Sequence, residues 1–358
     1  VTRTPLALAA LASAAVPGLD PETVEGAAQL PGHQFEVAFV LDTQHRRWVV
    51  RAPISAAAGA QMDVTLSLLG LLSRRLPFSV PTPKGFADLK EGGRAAVYPY
   101  LDGRPLDLAR LPAGPGIAAE LGRALAALHN VDLALFDEAG LPSYDADTYR
   151  TRRLSDLDRA AETGHVPTAL LARWERSLED VSLWRFAPTP THGDLTGDDI
   201  LAVFDDDDNA ASGHIRGLTG WEDAKVADPA DDFAALVTQA SPAAFDSVLE
   251  AYAHARIDRP DKHLRRRARM AGELKLVSEL LIAAGSKDSS GIEACAARLR
   301  QLDVDTFDDD PDEKPVLPTT PTAPTASVLP VVPDAEPQDD IGHADGDPDE
   351  DSPRGANG

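Results

Sequence analysis

Only one cysteine, Cys295, stands among the 358 residues. This excludes an intramolecular disulfide framework and any thiolate-rich metal site. Basic residues are few, 34 against 58 acidic ones, for a formal charge of −24. Such a balance argues against a protein that grips nucleic acid through bulk charge. No apolar run reaches membrane-spanning length and the mean hydropathy is −0.21, which excludes a multi-span membrane protein. The HExxH spacing of zincins, the GxSxG turn of serine hydrolases and the P-loop signature are all missing. No 20–50-residue period marks a repeat array. What remains is a soluble, acidic, cytoplasmic chain. About 300 of its residues are enough to bury roughly 75% of their unfolded surface.

Acid and proline concentrate at one end. Residues 307–358 hold 14 acidic residues against Lys314 and Arg354, and 10 of the 29 prolines. A segment of this composition cannot offset its ordering entropy by burying apolar surface, so a disordered, solvating tail is expected there. At the other end PLALAALASAAVPG has the look of a short secretory signal, but its alanine content reads better as a helix that packs on the next domain. Between these ends, FEVAFVL and RWVVRA alternate as two strands over 35–52, joined by the turn at 42–45. A helix from 57 to 74 and strands at 85–90 and 95–101 complete an α+β module of about 100 residues. Helical runs then dominate: 118–129, 146–163, 167–184, 228–240, 242–256, 262–284 and 291–302. One hairpin, 200–204 with 214–218, interrupts them. The acidic run at 205–208 reads as the solvated turn of that hairpin, the basic cluster 262–269 as a solvated helix face, and Cys295 as a buried helix residue.

The informative stretches are HGDLTGDDIL at 192–201 and GWEDAKVADPADDFAAL at 220–236, with VYPYLDGRPL at 97–106 and LGRALAALHNVD at 121–132. Together they resemble the aminoglycoside and macrolide phosphotransferases, small-molecule kinases with a protein-kinase-like fold. The similarity runs from about residue 20 to about 300. RWVVRAP, LPFSVP and the run from Asp158 to Phe186 favour the macrolide 2'-phosphotransferase branch. The resemblance implies a bilobal α+β fold: a strand-rich nucleotide-binding lobe over 1–101, a helical catalytic and substrate lobe over 102–306, and the tail beyond. It implies ATP or GTP as phosphoryl donor, Mg2+ (weakly bound here) as the metal, a small-molecule acceptor, and a monomer that engages neither nucleic acid nor membrane.

Phosphoryl transfer needs a carboxylate to orient the acceptor hydroxyl, divalent ions, and a cation on the nucleotide phosphates. By resemblance Asp194 fills the first role, and His192 buttresses its loop. Asp228 and Asp232 cap a helix and brace the same loop. Arg51 stands where the phosphate-binding Lys is expected, and Tyr98, Pro99, Tyr100 and Leu101 form the purine-contacting hinge. The sequence departs from the family at the metal site. Asp199 replaces an Asn, and Gly220 replaces the Asp that grips magnesium. Glu222 or Asp223 then reaches in, or Asp199 with Asp198 carries the ion, or the site is metal-poor. The Glu that pairs with the nucleotide cation falls at Thr65, with Asp63 on a different helix face. Three readings follow: an antibiotic phosphotransferase, a weak or inactive pseudokinase-like binding module, and a metabolic amino-alcohol or sugar kinase.

Overall fold

Alternation of apolar residues builds the first sheet. The computed structural model describes residues 3–27, 33–206 and 209–306. The expected tail, and Asp207 and Asp208 of the acidic turn, lie outside the described residues. Helix α1 (Pro5–Ala15) opens on Thr4, whose hydroxyl accepts from Ala7 N at 3.3 Å, with Pro5 at the first helical position. As expected it packs: Leu8, Ala9 and Ala12 are buried against Ala38, Val40, Trp48 and Val50. Strands β1 (Pro21–Gly26), β2 (Phe35–Asp42) and β3 (Arg47–Pro53) follow, then helix α2 (Ala56–Leu72) and strands β4 (Gly85–Asp88) and β5 (Arg94–Pro99). The five strands form one antiparallel sheet in the order β1-β2-β3-β5-β4. Sequence reasoning misses β1, because PETVEG is largely exposed and carries no hydrophobic alternation. It is an edge strand, and its two glutamates suit a position where further pairing must be discouraged.

The second lobe contains β6 (Arg104–Pro105), α3 (Ile117–His129), α4 (Leu133–Glu138), α5 (Ala146–Glu162) and α6 (Thr168–Glu179). Then come β7 (Thr189–Thr191), β8 (Ile200–Phe204), β9 (Gly213–Leu218) and β10 (Lys225–Ala227), followed by α7 (Ala234–Gln239), α8 (Pro242–Ala255), α9 (Leu264–Ser286) and α10 (Ser289–Asp305). β8 and β9 are the expected hairpin, extended by β6, while β7 pairs with β10 in a separate two-stranded ladder. Two helices are shorter than their periodicity suggests. After α6 the backbone leaves helical geometry at Asp180, whose carboxylate accepts from Ser182 N at 3.0 Å and starts a separate 3₁₀ turn over Val181–Trp184. Ahead of α7, Asp228 caps a 3₁₀ turn over Pro229–Phe233 in the same way.

The lobes are not separate cores. Leu68, Leu69 and Leu72 from the end of α2, with Leu76, Phe78 and Val80 after it, share one apolar cluster with Leu121, Leu125, Trp221, Phe233 and Tyr252. Ser79 adds backbone bonds to β9, donating to Arg216 O at 2.9 Å and accepting from Leu218 N at 3.0 Å. One expectation is corrected here. The basic cluster at 262–269 is not simply a solvated face, because Arg267 is buried and binds Asp228 and Asp261, each through two nitrogens. A charge so buried needs these partners, since alone it would carry a large desolvation penalty.

Asp42 closes the β2–β3 turn. Its carboxylate accepts from the N–H groups of Gln44 and Arg46, from Arg46 Nε at 2.7 Å and from Trp48 Nε1 at 3.0 Å. Burial opposes the charge, but the hydrogen bonds from Trp48, Arg46 and Gln44 win and hold the carboxyl down at about 2. A carboxyl held below its unfolded value contributes stability that is complete above the ordinary Asp range and is lost as pH falls through about 2. Asp42→Asn should therefore lower stability at neutral pH and flatten its decline between about pH 4 and 2. Urea titrations at several pH values measure both effects; parallel curves for the two proteins would contradict this account.

Candidate active site

The site is a loop held from behind. His192 and Gly193 follow β7, and their backbone N–H groups donate to the two oxygens of Asp232, at 2.9 and 2.7 Å. Asp232 is buried, and its Oδ2 also accepts from His129 Nε2 at 2.9 Å, while His129 Nδ1 meets the Tyr252 hydroxyl at 2.8 Å. Burial disfavours the Asp232 charge, yet the His129 contact and the loop N–H groups hold its carboxyl below the ordinary value. Gly193 has φ +92°, and a Cβ there would collide with the carbonyl oxygen of Asp223 and lie 2.7 Å from Lys225 Nζ. Only glycine fits that turn.

His192 is fully buried. Its Nε2 donates to Thr219 O at 2.6 Å and its ring packs on Trp221, 4.9 Å between centroids. These contacts tie the loop to the 219–223 turn. Asp194, the next residue but one, is 47% exposed and ion-paired through Oδ1 to Lys275 Nζ on α9 at 2.6 Å. Lys225 braces the loop from the other side, donating to Gly193 O and pairing with Asp231, both at 3.1 Å.

Arg51, expected from the sequence to meet the phosphates, sits in an ion pair. Arg51 on β3 meets Glu222 Oε1 at 2.6 Å and lies 4.3 Å from the centre of the Phe35 ring. Gln61 on α2 fixes the same turn, donating to Glu222 O at 3.0 Å. Thr65 is buried in α2, and Asp63 points outward to Arg94. Glu222 thus serves as counter-ion to Arg51, a part for which Thr65 has no charge. At the expected hinge, Tyr98 is buried with Phe35, Ala58 and Met62, and burial pushes its hydroxyl up to about 12. Tyr100 lies under the Arg47 guanidinium, and Pro99 and Leu101 are half-buried beside it.

The metal-ligating candidates are brought near one another without forming a cage. Asp199 Oδ2 accepts from Thr196 N at 3.0 Å and Thr196 Oγ1 at 2.6 Å. Its other oxygen faces Gly220, which has φ +76°. A Cβ at Gly220 would collide with Asp199 Oδ1 and come within 2.8 Å of Cγ. Burial raises the Asp199 carboxyl above its ordinary value, and desolvation does the same to Asp223, with Asp194 and Glu222 adding to it against Lys225. Magnesium wants six oxygens in near-octahedral array. Gly220 offers no side chain, Glu222 is bound to Arg51, and Asp194 is bound to Lys275. Among the described residues no three His, Cys, Asp or Glu side chains are placed to share an ion. The residues present do not fit a divalent ion anchored by the chain itself.

A cavity of about 450 Å³ opens beside this loop. Gln61 and Val64 of α2, Tyr149 and Arg152 of α5, and Asp223 and Lys225 are among its walls. It falls in the range of small-molecule sites. Sequence reasoning did not find Lys275, Lys225, His129 or Tyr149 as parts of the site. Lys275 lies 81 residues from Asp194 with no local signature, and His129 only closes a helix whose leucines drew attention.

A sheet-built lobe and a helical lobe meeting at a braced His-Gly-Asp loop define a kinase-like phosphotransferase. The chain belongs to the phosphotransferase enzyme family, whose sequence model matches residues 27–270. The solved structure of macrolide 2'-phosphotransferase MphH from Brachybacterium faecium is similar, at 28% identity and a TM-score of 0.66, over 79% of this chain and 94% of that one. A macrolide 2'-phosphotransferase type I matches at 26% identity and a TM-score of 0.69, over 84% and 98%. Aminoglycoside 2'-phosphotransferase-IIIa, solved as its GDP complex, shares the fold at 20% identity and a TM-score of 0.72, over 85% and 100%. The protein YcbJ of Bacillus subtilis strain 168 is 28% identical over 56% of this chain and 66% of its own length, just under two thirds. Among the described residues no helix is long and apolar enough to cross a membrane.

Two substitutions test the bracing. Asp232→Ala leaves His129 and two loop N–H groups without their buried acceptor, and should cost about 3–5 kcal/mol in chemical denaturation. Gly220→Asp should also destabilise, by about 1–3 kcal/mol, through positive φ and the Asp199 contact. A Gly220→Asp protein as stable as the parent would mean that this turn relaxes freely.

Proposed function

We propose that the chain moves the γ-phosphoryl group of ATP or GTP to a hydroxyl of a small molecule, with a macrolide the first acceptor to try and an aminoglycoside the second. The observation that carries this reading is Asp194, a half-exposed carboxylate at the end of a loop that Asp232, His192 and Lys225 hold in place. The macrolide preference is supported by the two macrolide phosphotransferase structures, which exceed 25% identity. Nucleotide use is supported by the GDP complex on the same fold.

In this mechanism Asp194 orients the acceptor hydroxyl and takes its proton as the oxygen attacks. The new oxygen–phosphorus bond forms while the bond from the γ-phosphorus to the bridging oxygen breaks, releasing nucleoside diphosphate. Arg51 clamps the phosphates with its planar fork after giving up Glu222, and the backbone of residues 98–101 faces the purine. Residues 1–101 then serve the nucleotide, and residues 102–306 the acceptor, which enters the cavity between α2 and α5. Asp199 and Asp223 are the carboxylates left to touch any magnesium that arrives on the nucleotide phosphates. A second reading, a binding module without turnover, is favoured by one observation: Gly220 has no side chain, and one there would have to displace the Asp199 carboxylate.

A nucleotide-consumption screen against macrolides, aminoglycosides and amino alcohols, with magnesium varied, separates these readings. Turnover should fall roughly 10²–10⁴-fold in Asp194→Asn while the fold is kept. Unchanged kinetics in that variant would remove Asp194 from the chemistry, and nucleotide binding with no acceptor consumed would favour the binding module.

A further inference from the structure

The ion pair between Lys275 and Asp194 puts a fixed cation where the reading above needs positive charge. We propose that Lys275 supplies, at the transferring phosphoryl group, charge that a chain-anchored divalent ion would otherwise bring. The inference rests on Asp194 being the group that orients the acceptor.

The placement is not left to a wandering side chain. Lys275 stands on α9, which is pinned by Arg267 to Asp228 at 2.7 Å and by Glu273 to Trp174 and Arg173 at 2.7 and 2.6 Å. Leu274, Leu276 and Val277 are buried on either side of it. From this fixed root the ammonium, 40% exposed on its side chain, reaches Asp194 Oδ1 at 2.6 Å. A base lies about 3 Å from the hydroxyl it serves, and that oxygen starts about 3–3.5 Å from the phosphorus it attacks. Lys275 is therefore within one swing of its four-carbon stem from the γ-phosphate oxygens.

Two neighbouring cations begin with partners of their own, and Arg51 must give up Glu222 before it clamps the phosphates as proposed above. Arg51 holds Glu222, and Lys225 holds Gly193 O and Asp231. Asp194 itself cannot serve both as base and as the site's charge balance. When the acceptor oxygen bonds to the γ-phosphorus and its proton passes to Asp194, that carboxylate loses its charge. The Lys275 ammonium, already shared between Asp194 and the γ-phosphate oxygens once the triphosphate is bound, then passes wholly to the phosphoryl oxygens, keeping its own proton throughout. The pair thus exchanges one anionic partner for another as the reaction proceeds.

Calorimetric titration of the full chain with ADP and with a non-hydrolysable ATP analogue, each with and without magnesium, tests this without any acceptor. The unmodified protein should bind the triphosphate analogue in the absence of magnesium. Lys275→Met should weaken the analogue roughly tenfold or more and leave ADP nearly unchanged, because only the triphosphate reaches Asp194. Lys275→Arg should retain most of the affinity. An equal loss for ADP and the analogue, or no loss at all, overturns the proposal while leaving phosphotransfer standing. Strict dependence of analogue binding on magnesium overturns it too. Failure of the unmodified protein to bind either nucleotide removes the phosphotransfer reading itself, and the role of Lys275 with it.

Discussion

The buried carboxylate of Asp232 holds the site together. It accepts from the backbone of His192 and Gly193 and from the ring of His129, which in turn meets Tyr252. Through that relay α3, α8 and the turn before α7 all bear on one loop. A carboxylate there can stay ionised in the interior because each of its oxygens has a donor. Without it the loop that carries Asp194 would have no fixed relation to the helices, and Gly193 could not press against the Asp223 carbonyl as it does.

Charge around the cleft is paired within the chain to an unusual degree. Arg51 takes Glu222, Asp194 takes Lys275, and Lys225 takes Asp231. A nucleotide entering this site as proposed would meet cations that already have partners, so its phosphates would have to displace carboxylates. This is exchange of one anion for another, which costs less desolvation than stripping a bare cation of water. It also explains how Thr65 can be neutral: Glu222, on the turn after Gly220, reaches Arg51 from the other lobe.

Much of this is legible in the amino-acid sequence. The strands over 35–52, the helix after them, the hairpin and the long helices follow from periodicity, and the His-Gly-Asp run marks the loop. β1 was hidden because an exposed edge strand has no apolar alternation, and β7 and β10 because three-residue strands carry too few positions to show a period. The departure at Gly220 is visible in the sequence as a missing carboxylate, but what a side chain there would meet is not. Only the structure brings Asp199 against the space a side chain at 220 would fill. Nor could spacing reveal Lys275, whose partner is 81 residues away and on another element.

The apolar cluster that joins the end of α2 to the helical lobe bears on how the chain comes apart. Leu68, Leu69, Leu72, Leu76, Phe78 and Val80 lie before the hinge in sequence, yet their neighbours are Leu121, Trp221 and Phe233. The end of the first sheet in sequence and the boundary of cooperative unfolding therefore need not coincide. The sheet with α1 can loosen as one unit, while the end of α2 and the segment through Val80 stay with the helices until the whole lobe melts. A fragment ending at the hinge would carry six core side chains with nothing to cover them, and association through that stripe would be its first fate.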